Sequence, residues 1–290
     1  MRNLRTVFFG SSEFSVGVLD ALAMHGITPV LIVTTPAKPK GRGLVLTPTP
    51  VAEWAEKNGI DAIAPARLDA DIVDEIKNTD WDVFLVASYG KIIPQAVLDI
   101  PKKGTLNVHP SLLPKFRGAS PIRSAILADE QKTGVSIMLV DADVDHGPIV
   151  AQASVEIQDL PAQAGWPLAS RVLSALLAKE GGGLLAEALP LWMKGDITPE
   201  PQEHDSATFT KKFDKEDALI DLADNAHANL LKIRAFDDDP VAYFLTKRNG
   251  RDIRVKVTSA REEDGKLVIE RVIPEGKKEM GYEDFLRGNR

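Results

Sequence analysis

The 290-residue sequence contains no cysteine. Disulfide bonds, thiolate metal ligands, iron–sulfur clusters and cysteine nucleophiles are therefore excluded, and the composition suits a reducing compartment. The sequence also lacks any apolar run approaching the roughly 20 residues that a membrane-spanning helix needs. Near its start, the apolar run Val7–Phe9 is far shorter than the roughly 7–15-residue core of a signal peptide. We therefore expect a cytoplasmic protein.

Positive charge is also scarce, because 35 Lys and Arg residues stand against 42 Asp and Glu residues, which gives a net charge of −7. This balance excludes a protein that coats nucleic acid through bulk positive charge. A nucleic-acid partner would need a local basic stripe instead. The apolar fraction of 44% is sufficient to fill hydrophobic cores in a globular chain.

Short apolar runs alternate with segments of helical periodicity in the first part of the chain. This order predicts an α/β fold, a Rossmann-like open parallel sheet with helices on both faces. The predicted strands are Leu4–Phe9, Thr28–Val33, Ala62–Ala64, Val83–Ala87, Thr105–His109, Val135–Val140 and Ile149–Val155. The predicted helices are Phe14–Met24, Pro50–Lys57, Ala70–Asn78 and Leu160–Trp192. We expect Gly181–Gly183 to bend or interrupt the last helix, because glycine is a poor helix former.

A polar segment with two prolines, Asp196–Ser206, predicts a linker. The predicted organisation is a first domain at 1–195, a linker at 196–207 and a second domain at 208–290. Apolar residues at helical spacing from Leu219 to Ile233 predict a helix in the second domain. Strands are predicted at Val241–Leu245, Ile253–Ala260 and Lys266–Val272, with a tight hairpin at the Asp264-Gly265 pair. The second domain is therefore expected to be small, mostly β and OB-like.

The first strand–helix turn, Gly10–Ser15, is where a Rossmann-like sheet would bind a dinucleotide pyrophosphate. It contains one glycine where that loop needs three, so a dinucleotide bound in the usual mode is not expected. The sequence also has no Walker-type phosphate loop. Phosphoryl transfer from a nucleotide therefore loses its main support.

The densest group of reactive side chains at a strand end contains Asn107 and His109. On an extended strand these residues point to the same side, so an amide donor and an imidazole can meet one substrate group. Such a pair suits acyl transfer, in which one group polarises a carbonyl and the other handles protons. A histidine that only caps the strand or bonds a core backbone group is the alternative. The pair alone leaves both interpretations open.

A second cluster, Asp141, Asp143 and Asp145, follows a predicted strand. Its spacing is similar to that of a calcium loop, but His146 stands where glycine is needed and Gln152 where a bidentate glutamate belongs. We therefore predict no metal site. Two interpretations remain: a solvated acidic turn, or an aspartate that reaches His109 and stabilises its charged form. The spacing does not choose between them.

Several separated segments, read together, resemble the folate-dependent formyltransferases. The strings are GTLNVHPSLLPKFRGASPIR at 104–123 and TGVSIMLVDADVDHGPIVAQ at 133–152. Within that family, the resemblance is to the enzymes that act on methionyl-tRNA, and it extends over nearly the whole chain. The sequence departs from the family pattern at Ser12, where proline is usual, and at His146, where a small residue is common.

The resemblance implies roles for individual residues. Asn107, His109 and Asp145 are implied to be catalytic. The residues implied to bind tetrahydrofolate are Ser111, Leu112, Leu113, Pro114, Ala87, Ser88, Tyr89, Gly90 and Leu139. Phe14 is implied to lie beside the methionyl side chain. The residues implied to contact tRNA are Lys38, Lys40 and Arg42 and, in the second domain, Lys211, Lys212, Arg254 and Lys256.

The resemblance also implies a reaction: the formyl group of 10-formyltetrahydrofolate passes to the α-amine of methionyl-tRNA, without a metal, in translation initiation. It further implies a bacterial, cytoplasmic enzyme with a catalytic first domain and a tRNA-binding second domain, which we expect to be a monomer. Three alternatives remain: a formyltransferase acting on a nucleotide-linked amino sugar, a formyltetrahydrofolate hydrolase and a non-catalytic nucleic-acid-binding module.

Overall fold

The computed structural model describes residues 4–41, 43–156, 166–248 and 250–288. Its strands are β1 (Thr6–Gly10), β2 (Leu31–Val33), β3 (Lys38–Lys40), β4 (Val45–Thr47), β5 (Asp61–Ile63), β6 (Val83–Ala87), β7 (Thr105–His109), β8 (Arg117–Gly118), β9 (Lys132–Leu139), β10 (Ile149–Glu156), β11 (Phe209–Thr210), β12 (Tyr243–Arg248), β13 (Arg251–Glu263), β14 (Lys266–Pro274) and β15 (Met280–Gly281). Its α-helices are α1 (Glu13–Met24), α2 (Pro50–Asn58), α3 (Ala70–Lys77), α4 (Gln95–Leu98), α5 (Pro121–Leu127), α6 (Ser170–Lys194), α7 (Ala226–Ala235) and α8 (Tyr282–Arg287).

The chain divides into two compact units. The first is formed by described residues within Met1–Ala119, Gly134–Val155 and Ser174–Phe209. The second is formed by described residues within Ser120–Thr133, Glu156–Leu173 and Thr210–Arg290. The division into domains at 1–195 and 208–290 with a linker at 196–207 remains a prediction. Within this proposed linker, Glu200 pairs with Ile149 and the side chain of Gln202 is buried, all inside the first unit.

A seven-stranded sheet in the order β10-β9-β7-β6-β1-β2-β5 forms the core of the first unit. The five strands from β7 to β5 run parallel, and β9 is antiparallel to β7. The predicted Rossmann-like α/β fold is therefore confirmed, with an antiparallel addition at one edge. Strand order reverses at β1, which has β2 on one side and β6 on the other.

The sequence explains why these elements form. Every residue of β1 and β6 is buried, as expected for parallel strands covered on both faces. Helices α1, α2 and α3 are each preceded by an N-cap residue whose side-chain oxygen accepts a backbone N–H group of the first turn, namely Ser12, Thr49 and Asp69. Pro50 is the first residue of α2, where its fixed φ angle and missing N–H do not oppose the helix.

Helix α6 runs without a break from Ser170 to Lys194, so an interruption at Gly181–Gly183 is wrong, and a bend there remains a prediction. A Cβ atom at Gly181 would lie 2.6 Å from Val108 Cγ1, and one at Gly182 would lie 2.5 Å from Ala21 Cβ. These glycines let α6 pack closely against β7 and α1, which offsets their low helix propensity. The predicted start at Leu160 lies outside the described residues, and the helix begins at Ser170.

The second unit contains an antiparallel sheet in the order β12-β13-β14-β15. As predicted, Asp264 and Gly265 join β13 to β14, both with positive φ angles of 50° and 71°. The predicted helix from Leu219 is too long, because α7 starts at Ala226, where the Asn225 side chain accepts the Ala228 N–H. Leu219 pairs with Tyr243 instead.

Among the described residues, no helix is both long and apolar enough to cross a membrane.

Candidate active site

The carboxyl end of β7 carries Asn107 and His109, which point to the same side of the strand. The parallel arrangement of β6 and β7 places the loop that follows β6 at the same edge of the sheet. His109 is only 4% exposed, whereas Asn107 is half-buried. An imidazole and an amide on the same side of one strand end can both reach a single substrate group.

Asp145 reaches both of these side chains from the turn between β9 and β10. Its Oδ2 atom lies 3.5 Å from His109 Nδ1, and Asn107 Nδ2 donates to its Oδ1 atom over 3.4 Å. The backbone N–H of Gly118 donates to Oδ2 over 2.8 Å. The structure thus brings together the three side chains that the resemblance singled out.

The imidazole of His109 is fixed from both sides. Its Nε2 atom lies 3.0 Å from the carbonyl oxygen of Phe116. Because a carbonyl oxygen only accepts hydrogen bonds, Nε2 carries a hydrogen, and Nδ1 is the atom that faces Asp145. A charged imidazole has a hydrogen on each nitrogen and so satisfies both neighbours at once. Both ring nitrogens of His109 therefore face an oxygen atom of a neighbouring residue.

The other two carboxylates of the acidic turn point elsewhere. Asp141 lies 2.7 Å from Nδ1 of His146, and the ring of His146 stacks on His204 with centroids 4.1 Å apart. Asp143 is exposed, and its backbone N–H donates to Asp141. Of the three aspartates, Asp145 is the one that contacts His109. The alternative that spacing left open is settled in favour of a carboxylate beside the imidazole.

Sequence reasoning missed two groups that hold the acidic turn. The first is the N–H of Gly118, which binds the Asp145 carboxylate. The second is Gln202, whose Nε2 atom donates to the backbone oxygens of Asp145 and Gly147 over 3.0 and 2.7 Å. Gly118 falls inside the string that carries the resemblance, but no pattern distinguishes Gln202 within its polar segment. Only the folded chain reveals the contact.

The segment Ser111–Pro114, implied to bind tetrahydrofolate, is anchored through its backbone. The N–H of Leu113 donates to Ser136 Oγ over 3.1 Å, and Gln152 Nε2 donates to the Leu113 oxygen over 3.0 Å. Ser111 and Leu113 are buried, whereas Leu112 and Pro114 are half-buried. The apolar side chains available to a ligand are therefore those of Leu112 and Pro114.

The loop after β6, Ala87–Gly90, alternates buried and exposed residues. Ala87 is buried, and Ser88 and Gly90 are exposed with positive φ angles of 48° and 77°. Tyr89 packs into the core, with its ring 5.6 Å from that of Phe9, and burial raises the pKa of its hydroxyl. That hydroxyl has no hydrogen-bond partner among the described residues. A ligand at this edge would meet Ser88 and Gly90 rather than the Tyr89 ring. The half-buried Leu139 lies elsewhere, because it pairs with Leu106 near the amino end of β7 and its Cδ2 atom would lie 3.1 Å from a Cβ atom at Gly104.

The residues implied to meet the acceptor lie on the turn after β1 and on a hairpin. Phe14 is 6% exposed at the start of α1. Lys38 and Lys40 are exposed on β3, which pairs with β4, so the expected loop is a β-hairpin. Arg42 lies outside the described residues. The hairpin also exposes three apolar side chains in a row, Leu44, Val45 and Leu46.

Two basic residues of the second unit already have partners. Lys211 donates to Asp217 over 2.5 Å, and this hydrogen bond raises the pKa of the lysine. Arg254 lies over the ring of Tyr243, 4.5 Å from its centroid. Lys212 is exposed and Lys256 is half-buried.

Among the described residues, no group of three or more acidic or histidine side chains is arranged to hold a metal ion.

Comparison with known proteins places this geometry in context. A family model described as formyl transferase matches residues 4–171. The chain is 44% identical to the methionyl-tRNA formyltransferase of Chloroflexus aggregans over 83% of this chain and 76% of that protein. It is 36% identical to the methionyl-tRNA formyltransferase of Halorhodospira halophila over 99% of this chain and 96% of that protein.

Solved structures with different acceptors share the fold. The methionyl-tRNA formyltransferase from Clostridium thermocellum superposes with a TM-score of 0.60 and 15% identity over 93% of this chain and 98% of that chain. The sugar 3N-formyl transferase WlaRD, crystallised with dTDP and 5-N-formyl-THF, superposes with a TM-score of 0.61 and 16% identity over 96% of this chain and 100% of that chain. The fold alone therefore does not identify the acceptor.

Proposed function

The chain belongs to the formyl transferase family, and on this premise we propose that it transfers the formyl group of 10-formyltetrahydrofolate to the α-amine of methionyl-tRNA. Formylation of the initiator species prepares it for translation initiation. The observation that carries the catalytic part of this proposal is the meeting of Asn107, His109 and Asp145 at one strand end. Near-full-length similarity to relatives with that name supports the acceptor.

Asn107 and His109 are proposed to stabilise the negative charge that develops on the formyl oxygen. Both side chains now face the Asp145 carboxylate over long contacts of 3.4 and 3.5 Å, so a substrate oxygen that enters between them can replace these weak contacts while His109 Nε2 stays on the Phe116 oxygen. A formyl oxygen between them would replace one anionic acceptor by another. Removal of one such donor typically costs about 10²–10³-fold in turnover.

Asp145 is proposed to manage the proton of the attacking amine. When the amine nitrogen bonds to the formyl carbon, it must lose a proton, and the nitrogen of the departing folate must gain one. The Asp145 carboxylate, directly or through a water molecule, accepts the first proton and then delivers it to the departing folate nitrogen, which restores the carboxylate beside His109. These side chains supply the required donors and acceptors, so we expect turnover to survive chelation of metal ions with EDTA.

The folate supplies an activated one-carbon unit, and the edge of the sheet offers features that fit a flat heteroaromatic ring. Leu112 and Pro114 present partly exposed aliphatic surface. The exposed backbone at Ser88 and Gly90 offers polar groups to a ring edge. The buried residues Ser111, Leu113, Ala87 and Tyr89 are proposed to shape this pocket chiefly through their backbone and by packing beneath it.

The acceptor is proposed to bind through local positive charge, because the chain as a whole is acidic. The proposed contacts are Lys38 and Lys40 on the hairpin, Arg42, Phe14 beside the methionyl group, and, in the second unit, Lys211, Lys212, Arg254 and Lys256. Phosphate contacts of this kind position the acceptor end without reading sequence. We further propose that residues 1–195 catalyse, that 208–290 bind tRNA, and that the protein acts as a monomer in a bacterial cytoplasm.

The acceptor and the catalytic residues can be tested in one assay. Purified protein is incubated with labelled 10-formyltetrahydrofolate and either methionyl-tRNA, free methionine, a nucleotide-linked amino sugar or no acceptor. We expect label only on methionyl-tRNA. Label on the amino sugar alone would establish the sugar formyltransferase, and formate release without an acceptor would establish the hydrolase.

Variants distinguish catalysis from binding alone. Asn107→Ala and His109→Ala should each lose about 10²-fold or more in turnover while keeping the wild-type circular dichroism spectrum. His25→Ala is the matched control, because the exposed His25 side chain hydrogen-bonds the backbone oxygen of Ala21, four residues earlier in the chain. Wild-type turnover in His109→Ala would support the non-catalytic nucleic-acid-binding module.

A further inference from the structure

We propose that Gln202 is a positioning residue, which sets the Asp145 carboxylate through the backbone of the acidic turn. The proposal rests on the catalytic role proposed for Asp145. Gln202 is 5% exposed, and its amide lies between the turn and the buried guanidinium of Arg117. It contacts the turn on either side of His146 rather than at the carboxylate. Its influence on chemistry would therefore be indirect.

The amide of Gln202 is fully committed in one orientation. Both hydrogens of Nε2 are used, one for the oxygen of Asp145 and one for that of Gly147. Oε1 accepts from Nε and Nη2 of Arg117 over 3.0 and 2.7 Å. Since Arg117 only donates, a flipped amide would place NH₂ against N–H and an oxygen against two carbonyl oxygens. Arg117 thereby determines that the NH₂ group of Gln202, rather than its oxygen, points toward the turn.

The turn needs such a clamp because its backbone is strained and tightly fitted. Asp145 has a φ angle of +49°, a left-handed conformation that non-glycine residues rarely adopt. A Cβ atom at Gly147 would lie 1.9 Å from the oxygen of Leu139, so the turn presses against the end of β9. The NH₂ group of Gln202 holds the carbonyl oxygens of Asp145 and Gly147, and so fixes the orientation of the peptide planes to which they belong. The direction of the Asp145 side chain follows from those planes.

Arg117 links the clamp to the carboxylate itself. Its side chain orients Gln202, and the next residue, Gly118, donates its N–H to Asp145 Oδ2. Arg117 is 3% exposed. Its guanidinium group donates hydrogen bonds to two uncharged acceptor atoms, Oε1 of Gln202 and, at 2.9 Å, Nδ1 of His204. Burying a charge beside uncharged partners is costly. Such a cost is typical of sites where geometry matters more than stability.

The decisive variant is Gln202→Glu, which keeps the size of the side chain and an oxygen for Arg117. It replaces the donating NH₂ by an oxygen that repels the two turn carbonyls. We expect turnover of methionyl-tRNA at saturating substrates to fall about 10–100-fold, the effect of a displacement of about 1 Å in a catalytic group. The Michaelis constants should change little, because the side chain of Gln202 bonds Arg117 and the acidic turn rather than the segments proposed to bind substrates.

A double-mutant cycle with Asp145→Asn tests whether Gln202 acts through this carboxylate. If it does, Gln202→Glu should cause little further loss in the Asp145→Asn background, since residues that act as a unit are not additive. Equal losses in both backgrounds would overturn the proposal, as would full turnover in Gln202→Glu. Gln202→Ala, which removes the side chain without introducing a charge, must give the same pattern.

Trp81→Phe is the matched control for lost stability. Trp81 is 4% exposed, and its Nε1 atom donates to the oxygen of Ile76 over 2.7 Å, just before the amino end of β6. Its loss should lower the melting temperature without lowering turnover of the folded enzyme. A Gln202→Glu defect that disappears after correction for the unfolded fraction would overturn the proposal. If the wild-type protein does not formylate methionyl-tRNA, the proposed function is wrong, but the role of Gln202 can still be tested. The double-mutant cycle is then measured as consumption of the formyl donor.

Discussion

Asp143 and Asp145 lie two residues apart in one turn, yet their surroundings differ sharply. The carboxylate of Asp145 is 16% exposed, accepts the Gly118 N–H and faces His109, whereas Asp143 is exposed to solvent. Removing the charge of Asp145 by substitution with asparagine should leave His109 without its anionic neighbour and the attacking amine without its proton acceptor. We expect Asp145→Asn to lose about 10²-fold or more in turnover, measured by formylation of methionyl-tRNA.

Asp143→Asn is the matched control for this substitution. It removes the same charge from the same turn but leaves the contacts of Asp145 intact. We expect its turnover to equal that of the wild type. Equal losses in the two variants would mean that the overall negative charge of the turn matters rather than the contact with His109.

Residue-level prediction succeeds where geometry is local. The period of two along an extended strand is sufficient to place Asn107 and His109 on the same side of β7. Spacing could not choose Asp145 from its two acidic neighbours, because the choice depends on how the turn folds back on the sheet. Gln202 is 57 residues from Asp145 in sequence, and a contact over that distance leaves no local signal.

At the level of elements, the three consecutive glycines of α6 differ in how much space surrounds them, so their substitution tests how closely this helix packs. Gly182 lies against Ala21 and Val18 of α1, whereas a Cβ atom at Gly183 would meet nothing within 4 Å. Gly183→Ala should raise the free energy of unfolding by about 0.5–1 kcal/mol, because alanine favours a helix. Gly182→Ala should lower it by about 1–3 kcal/mol through overpacking. Urea denaturation of the two variants measures both values, and equal shifts would contradict the packing account of this helix.

His227 joins three segments of the second unit, since it bonds Glu262 on β13 and Asp129 in the turn that follows α5. The Glu262 and Asp129 carboxylates raise the pKa of His227 above the ordinary value of 6.5. A pKa raised by folding stabilises the protein fully below about pH 6.5, and this stabilisation is lost as the pH rises through the folded value. The side chains are partly exposed, so salt should weaken the effect.

The pH dependence of His227→Gln follows from this direction. The melting temperature of the variant should lie below that of the wild type at pH 6, and the difference should shrink as the pH rises to 9. In a Glu262→Gln background the pH-dependent part should be smaller, because the largest contribution to the shift is absent. A difference that stays constant from pH 6 to 9 would show that the charge of His227 contributes nothing to stability.

At the scale of the whole molecule, buried apolar runs in the sequence were sufficient to predict the fold. Exposed strands and contacts between distant residues were not predictable. The buried runs of β1 and β6 predicted the parallel sheet correctly. The hairpin of β3 and β4 was not predicted, because its residues are largely exposed and follow no apolar alternation. The acceptor is a separate question, since transferases with tRNA and sugar acceptors share the fold. It must be decided by surface charge and by assay.

The net charge of −7 makes tRNA binding depend on a few local cations. Lys38 and Lys40 are both exposed on β3, two residues apart, and so project from the same face of the hairpin. Affinity for methionyl-tRNA, measured by filter binding, should fall linearly with the logarithm of salt concentration. Each lysine that contacts a phosphate contributes about 1 to the slope, so Lys38→Gln with Lys40→Gln should reduce it by about 2. Lys57→Gln, at the exposed end of α2, is the control that should leave the slope unchanged, whereas an unchanged slope in the double variant would remove the hairpin from the tRNA interface.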